Sequence, residues 1–269
     1  MRLSPAPPPV ASPQQPQRVV ITGASSGIGA ALAQRYAASG ATLGLVARRA
    51  SALRDIAAPL PVRCETYPLD VRDGAALGAA ARHFMATHGC PDVVIANAGV
   101  SVGSLTEFPE DTKVFEEVMD TNVIGMVNTF QPFIAPMRER GSGSLAGIAS
   151  VAGYRGLPGA AAYSASKAAV ISYLESLRVE LHASGVNVIT ICPGYVATPM
   201  TEMNPYPMPF LLSAEEAAAK IVSLIARGRR YAVIPWQMAV VARALRVMPN
   251  WLYDRVLAGV PHKPRRGRG

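Results

Sequence analysis

Tyr163 and Lys167 stand four residues apart in AAYSASKAAVISYLESL, an alanine-rich stretch that reads as helix. Side chains at i and i+4 share one helical face, with Cβ atoms about 5–6 Å apart. A cation beside a phenol favours phenolate, so the Tyr163 pKa is expected to fall from about 10 toward a working pH, as a general acid/base requires. Ser150 closes the run SLAGIAS (144–150). There its hydroxyl would donate a hydrogen bond to the oxygen that Tyr163 protonates, stabilising charge as it develops. A Tyr–Lys pair alone is more often a packed ring with a snorkelling amine, so the chemistry rests on what else converges there.

A second group of residues suits a phosphate. Thr22-Gly23-Ala24-Ser25-Ser26-Gly27-Ile28-Gly29 follows the apolar run VVI (19–21) and opens a helical stretch. Gly23 permits the tight turn, Gly27 lets backbone approach a pyrophosphate, and Gly29 lets the helix pack closely. Free amides at the helix N-terminus then face the negative charge. The spacing G-x-x-x-G-x-G differs from the G-x-G-x-x-G dinucleotide fingerprint.

These groups need a scaffold that gathers them. VVI (19–21), LGLV (43–46), VVIA (93–96) and VNVITI (186–191) are the clearest strands, continuous apolar runs of the kind buried on both faces. Stretches 28–38, 73–87, 112–139, 161–183 and 214–227 read as helices. The alternation predicts right-handed βαβ crossovers and a doubly wound α/β fold with a parallel sheet in a single domain. Ligands then belong at the carboxyl ends of the strands, where the glycine-rich turn and Ser150 both fall.

The segment T-G-A-S-S-G-I-G resembles the short-chain dehydrogenase/reductase family, and the likeness extends downstream. Asp70, with Val71 beside it, matches the acid that family uses near the adenine, and Asn97-Ala98-Gly99 matches its N-A-G motif. Asn122 falls where it has a catalytic asparagine, Ser150, Tyr163 and Lys167 repeat its S-x12-Y-x3-K spacing, and Pro193-Gly194, Val196 and Thr198 follow the sixth strand. The match spans residues 18–200. It implies a Rossmann-like fold and hydride transfer between a nicotinamide cofactor and a ketone, an aldehyde or the corresponding alcohol. Asn122, Ser150, Tyr163 and Lys167 would be catalytic. Gly23, Ser25, Ser26, Gly27, Ile28, Gly29, Asp70, Val71, Asn97, Ala98, Gly99, Tyr163, Lys167, Pro193, Gly194, Val196 and Thr198 would contact cofactor. The resemblance also implies that Lys167 holds the nicotinamide ribose, that Asn122 orients a water relaying protons to it, and that helices 112–139 and 161–183 build a homodimer or homotetramer.

The end of the second strand bears on which nicotinamide. An acid there accepts hydrogen bonds from the ribose 2′-OH, whereas a 2′-phosphate wants a guanidinium. Here the strand ends Val46-Ala47-Arg48-Arg49, which favours NADP(H), with Arg48 the better placed of the two. The plainer alternative is a solvated helix start.

After Thr198, the segment 199–212 mixes Met200, Met203 and Met208 with Tyr206, Phe210 and prolines. It sits where the family has a substrate lid, and its adaptable apolar side chains suit a hydrophobic carbonyl or alcohol. Beyond YAVI (231–234), WQMAVVARALRVM (236–248) and NWLYDRVLAG (250–259) continue as amphipathic stretches. Residues 227–269 hold ten Lys/Arg and one acid, a net charge of +9, while the first 226 hold 16 basic and 17 acidic residues, a net of −1. A basic amphipathic segment with Trp236 and Trp251 could lie peripherally on an anionic membrane. The alternative preferred on the sequence is that these helices cap the cleft or pair subunits while the polybasic end stays solvated.

Composition narrows the rest. Of 269 residues half are hydrophobic and 16% charged, enough apolar surface for a sizeable core. Cys64, Cys90 and Cys192 form no C-x-x-C pair and the four histidines are scattered, so neither a disulfide framework nor a metal site is expected. Reduced cysteines suit a cytoplasmic location, with the inner face of a membrane as the alternative. The short basic end RRGRG lacks a stacking platform, so no nucleic-acid partner is expected. The reading is a leader over 1–17, proline-rich and disordered, then a catalytic domain over 18–235 and a basic extension over 236–269. Its competitor is an NADPH-binding scaffold or sensor at a membrane surface that turns nothing over.

Overall fold

The computed structural model describes residues 16–261 and 263–265. Most of the expected leader therefore lies outside the described residues.

Seven parallel strands form one sheet in the order β3-β2-β1-β4-β5-β6-β7, where β1 is Arg18–Thr22, β2 Thr42–Ala47, β3 Cys64–Pro68, β4 Val93–Ala96, β5 Gly143–Ile148, β6 Val186–Pro193 and β7 Tyr231–Ile234. This is the doubly wound, Rossmann-like single domain that the alternation predicts. The order reverses between β1 and β4, so the crevice opens above their carboxyl ends. The inner strands bury both faces. Val19, Ile21, Leu43 and Leu45 point into one apolar layer with Leu32 and Ile221, while Val20, Val46 and Val94 point into another with Phe84, Phe130 and Leu174. That double burial is why these strands read as unbroken apolar runs rather than as alternation.

Helices α1 (Gly27–Ala38) and α7 (Ala214–Ala226) pack together on the first face. Helices α3 (Gly74–His88), α5 (Gly125–Arg140) and α6 (Ala161–Glu180) cover the second. A Cβ on Gly44 of β2 would lie 2.9 Å from the Phe84 ring, so the small residue makes room for an aromatic from α3. Two elements were not legible in the pattern. Helix α2 (Ala50–Ala57) is one short amphipathic turn pair, and the edge strand β3 is only half-buried.

The stretch 112–139 expected as one helix is instead α4 (Asp111–Met119) and α5, joined by a π-turn over Asp120–Ile124. The wider turn carries Asn122, fully buried, against α6. Single π-turns inside helices often mark functional positions. After β7 the chain continues as α8 (Trp236–Val247) and α9 (Asn250–Leu257). No described helix is long and apolar enough to cross a membrane.

Candidate active site

A cavity of about 450 Å³ runs along the carboxyl ends of the strands. Its floor at the β1 end is the turn into α1. Gly23 adopts φ +69°, and a Cβ there would meet Ala98 Cα at 2.8 Å and Asn97 Nδ2 at 2.9 Å, so β4 can approach only a glycine. The Asn97 amide donates to the carbonyls of Thr22 at 3.0 Å and Gly23 at 3.3 Å. The backbone N–H groups of Asn97 and Ala98 both donate to Thr22 Oγ1 at 3.2 Å. Thr22 thus staples the two strand ends that flank the crevice.

Helix α1 starts at this turn without a side-chain cap and without an acid in its first turn, whereas α3 is capped by Asp73 and α7 by a Ser213–Glu216 box. Its free amides and the cavity beside Gly27 and Ile28 fit the phosphates of a dinucleotide. Gly29 does not line the cavity. It lies under the turn, where a Cβ would come within 2.2 Å of the Gly23 carbonyl oxygen, so its role is to let α1 pack.

The far end of the cavity holds Ser150, Tyr163 and Lys167. Ser150, just past β5, has an extended backbone and caps a single 3₁₀ turn, its hydroxyl oxygen accepting from the Ala152 N–H at 3.1 Å. That leaves its proton for the Tyr163 oxygen. Lys167, 4% exposed, donates from Nζ to the Ile148 carbonyl at 2.8 Å, and Nζ lies 5.7 Å from the centre of the Tyr163 ring.

The expected fall of the Tyr163 pKa does not occur in this structure. Burial pushes the phenol up, against the downward pull of a hydrogen bond from Ser150. Desolvation also works against the Lys167 ammonium, which is held down to about 8. Desolvation disfavours the charged form of both groups, so spacing on one helical face is insufficient to predict ionisation.

Asn122 stands behind the cavity wall rather than in it. Its Oδ1 accepts from the Val100 N–H at 2.8 Å, and its Nδ2 donates to the Val100 carbonyl at 3.0 Å and to Ser166 Oγ at 2.9 Å. The side chain therefore fixes the strand of loop after Gly99 against α6. A Cβ on Gly99 would lie 3.1 Å from Asn122 Oδ1 and 3.7 Å from Lys167 Nζ, so the two residues meet across that glycine.

At the β2 end, Arg48 Nη1 is 3.9 Å from Asp70 Oδ2 and its side chain is about half exposed. Arg49 Nη2 donates to Ser25 Oγ at 3.3 Å and Ser26 Oγ at 3.2 Å, bringing a second guanidinium onto the glycine-rich turn. Asp70 is engaged by Arg72, which donates from Nε at 3.0 Å, Nη2 at 2.7 Å and the backbone N–H at 3.0 Å. These bonds hold the Asp70 carboxyl below its usual range. Sequence reasoning missed Arg72, although an arginine two residues after an aspartate in a turn is a recognisable local pair.

Pro193, Gly194, Val196 and Thr198 complete the wall, joined by Pro199, Met200 and Thr201 of the 199–212 segment and by Val100 and Thr121, which the motifs did not mark. Thr201 Oγ1 donates to the Val196 carbonyl at 2.7 Å and accepts from the Thr198 N–H at 3.1 Å, folding the segment after Val196 into a tight turn. A Cβ on Gly194 would strike Met238 Cγ at 2.6 Å, so α8 rests directly on the wall.

The extension packs on the segment after Ser150. Arg155, past the 3₁₀ turn, donates to the Leu245 carbonyl at 2.6 Å and to Asn250 Oδ1 at 2.8 Å, and its guanidinium stacks 3.8 Å above the Tyr253 ring. The expectation of a solvated polybasic end fails for Lys263 and Arg265. Both are bound to the body, Arg265 with a side chain only 12% exposed, because acids at 110–111 and carbonyls near the lid are there to receive them. Arg266 and Arg268 lie outside the described residues.

Comparison with known proteins agrees with this geometry. The short chain dehydrogenase family model matches residues 17–206. An uncharacterised oxidoreductase of Myxococcus xanthus is 41% identical over 238 residues, covering 87% of this chain and 94% of its own length. An uncharacterised oxidoreductase of Mycobacterium tuberculosis is 34% identical, covering 89% of this chain and 96% of that protein. Among solved structures, levodione reductase superposes with a TM-score of 0.75 at 28% identity, covering 83% of this chain and 98% of that one. A short-chain dehydrogenase from Streptomyces avermitilis also reaches 0.75 at 29% identity, covering 91% and 95%. With a glycine-rich turn, a Ser-Tyr-Lys group and a common cavity on this sheet, the chain is an oxidoreductase and belongs to the short-chain dehydrogenase/reductase family.

Proposed function

We propose that the protein transfers a hydride between NADP(H) and a hydrophobic ketone or aldehyde, or the corresponding alcohol, with Tyr163 as general acid/base. The observation that carries this reading is the meeting of Ser150, Tyr163 and Lys167 in the cavity that begins at the glycine-rich turn. A bound reduced nicotinamide supplies the hydride. The Tyr163 hydroxyl gives its proton to the carbonyl oxygen, and Ser150 donates a hydrogen bond to the same oxygen. Lys167, fixed on Ile148, has further ammonium protons for the cofactor ribose, and Asn122 keeps the Val100 loop in register beside it.

The choice of NADP(H) is supported by Arg48, Arg49 and the two serines around the rim where a 2′-phosphate would lie. A hydrophobic substrate is supported by Val100 and Met200 in the wall and by the Tyr195–Tyr206 ring pair near the lid, with centroids 6.4 Å apart. Exposed Phe115, Ile124 and Val179 on the helices expected at subunit contacts support a homo-oligomer. The test is a panel of ketones and aldehydes assayed with NADPH and NADH by loss of nicotinamide absorbance. Binding of NADPH without turnover of any carbonyl would return the scaffold reading.

Exposed Trp236, Val240 and Val247 on α8 and Trp251 on α9, with exposed Arg243 and Arg255, favour one secondary proposal, contact with an anionic membrane surface. Salt-sensitive co-sedimentation with anionic but not neutral vesicles is expected. Equal behaviour with both removes it.

A further inference from the structure

The last described residues return to the loop after β4 and to the segment after Thr198, and are held there by independent contacts. Arg265 forms a parallel bridge with Gly103 in the loop after β4. A Cβ on Gly103 would come within 2.4 Å of both the Lys263 and the Pro264 carbonyl oxygens, so the tail seats on a surface that has no side chain.

The Arg265 guanidinium donates from Nε to Asp111 Oδ2 at 2.7 Å and from Nη2 to Asp111 Oδ1 and Glu110 Oε1 at 3.0 Å. It also lies 3.5 Å above the Phe108 ring. Asp111 is 6% exposed and takes the Leu105 N–H as well, at 2.7 Å. A bidentate, stacked and largely buried arginine is far stronger than a surface ion pair.

Two residues earlier, Lys263 Nζ donates to the Met200 carbonyl at 2.9 Å and to Ser101 Oγ at 3.3 Å. Met200 lines the cavity, while Ser101 belongs to the loop after β4 and follows Val100, which lines the cavity too. One ammonium therefore ties together two segments that border the cavity, and Arg265 anchors the segment that carries it.

We propose that residues 263–265 are a specificity latch: Arg265 is a positioning residue that seats the tail, and Lys263 sets the width of the substrate opening by clamping Met200 to Ser101. The latch favours compact carbonyls over bulky ones. Its catalytic consequence rests on the carbonyl-reductase reading above, while the seating of the tail does not.

The experiment uses the full chain, Arg265→Ala, Lys263→Ala and Gly103→Ala, the last keeping every charge but denying the tail its seat. Hydrogen exchange is followed over 101–111 and 198–204, and kcat/KM for a series of carbonyls of increasing bulk. Release of the tail by Arg265→Ala or Gly103→Ala is expected to speed exchange in both segments about tenfold or more. Lys263→Ala is expected to speed it in 198–204. The bulky-to-compact ratio of kcat/KM should rise about tenfold in all three, with the dissociation constant for NADPH unchanged. Unaltered exchange overturns the latch whatever the kinetics show. Faster exchange with an unaltered ratio overturns its role in specificity. A wild-type chain that reduces no carbonyl overturns that role together with the functional reading, and exchange then decides the seating of the tail alone.

Discussion

Lys167 Nζ donates to the Ile148 carbonyl at 2.8 Å, so the ammonium that faces Tyr163 also pins helix α6 to the end of strand β5. No described carboxylate pairs with it, and burial holds its pKa down to about 8 from 10.5. Charge is thus kept inside the protein by one carbonyl and the polar lining of the cavity, which is a cost accepted at a functional position.

That cost has a pH signature. Between about 8 and 10.5 the native state has released the Lys167 proton while the unfolded chain still binds one, so stability rises with pH across that window. Lys167→Met has no such proton. Whatever the loss of the bond to Ile148 costs the variant at every pH, the difference between the two proteins is expected to move by up to about 3 kcal/mol in favour of wild type between pH 8 and pH 10.5. Denaturant unfolding of both proteins without cofactor from pH 6.5 to 10.5 measures it; a gap that stays constant means burial does not disfavour the ammonium.

Tyr163→Phe removes the proton and keeps the ring. Turnover should fall by about 10² to 10⁴, with the melting temperature and NADPH affinity near wild type. Because Ser150 caps its own 3₁₀ turn, Ser150→Ala should lower both turnover and local stability. The two variants are distinguished by calorimetry, and near-normal turnover in Tyr163→Phe removes that residue from the chemistry.

The two arginines after β2 make separable predictions. Arg48 reaches only toward Asp70, at 3.9 Å, whereas Arg49 already spans Ser25 and Ser26. Arg48→Ala and Arg49→Ala should each raise KM for NADPH by about tenfold or more and leave KM for NADH nearly unchanged. Equal effects on the two cofactors would return both residues to the solvated surface.

The features legible in the sequence were those encoded by local periodicity or fixed spacing. Buried strands such as Val93–Ala96 are apolar on both faces, and the glycine-rich turn must hold small residues because Asn97 and Ala98 come from another strand to meet it. What stayed hidden depends on contacts distant in sequence. The π-turn at Asp120–Ile124 leaves the apolar pattern of its helix intact, and only the burial of Asn122 against Val100 and Ser166 reveals it. The tail read as a free basic end because the acids that bind it, Glu110 and Asp111, lie more than 150 residues earlier. The Tyr163 pKa was misjudged for the same reason: spacing reports proximity to a cation and is silent about desolvation.

Asn97 offers a test of how the crevice is held open. Its amide satisfies the carbonyls of Thr22 and Gly23, the two residues where β1 gives way to the turn. Alanine at this position leaves those acceptors to whatever water can enter beside a wall of backbone, and a loss of about 1–3 kcal/mol follows. For a domain of this size that is a fall of about 2–4 °C in Tm per kcal/mol. The loosened turn should also weaken cofactor binding several-fold, because the amides at the start of α1 lose their fixed aim. Calorimetry and fluorescence titration with NADPH read the two effects separately. Loss of stability with unchanged affinity would mean that the staple between β1 and β4 supports the sheet but does not shape the phosphate site.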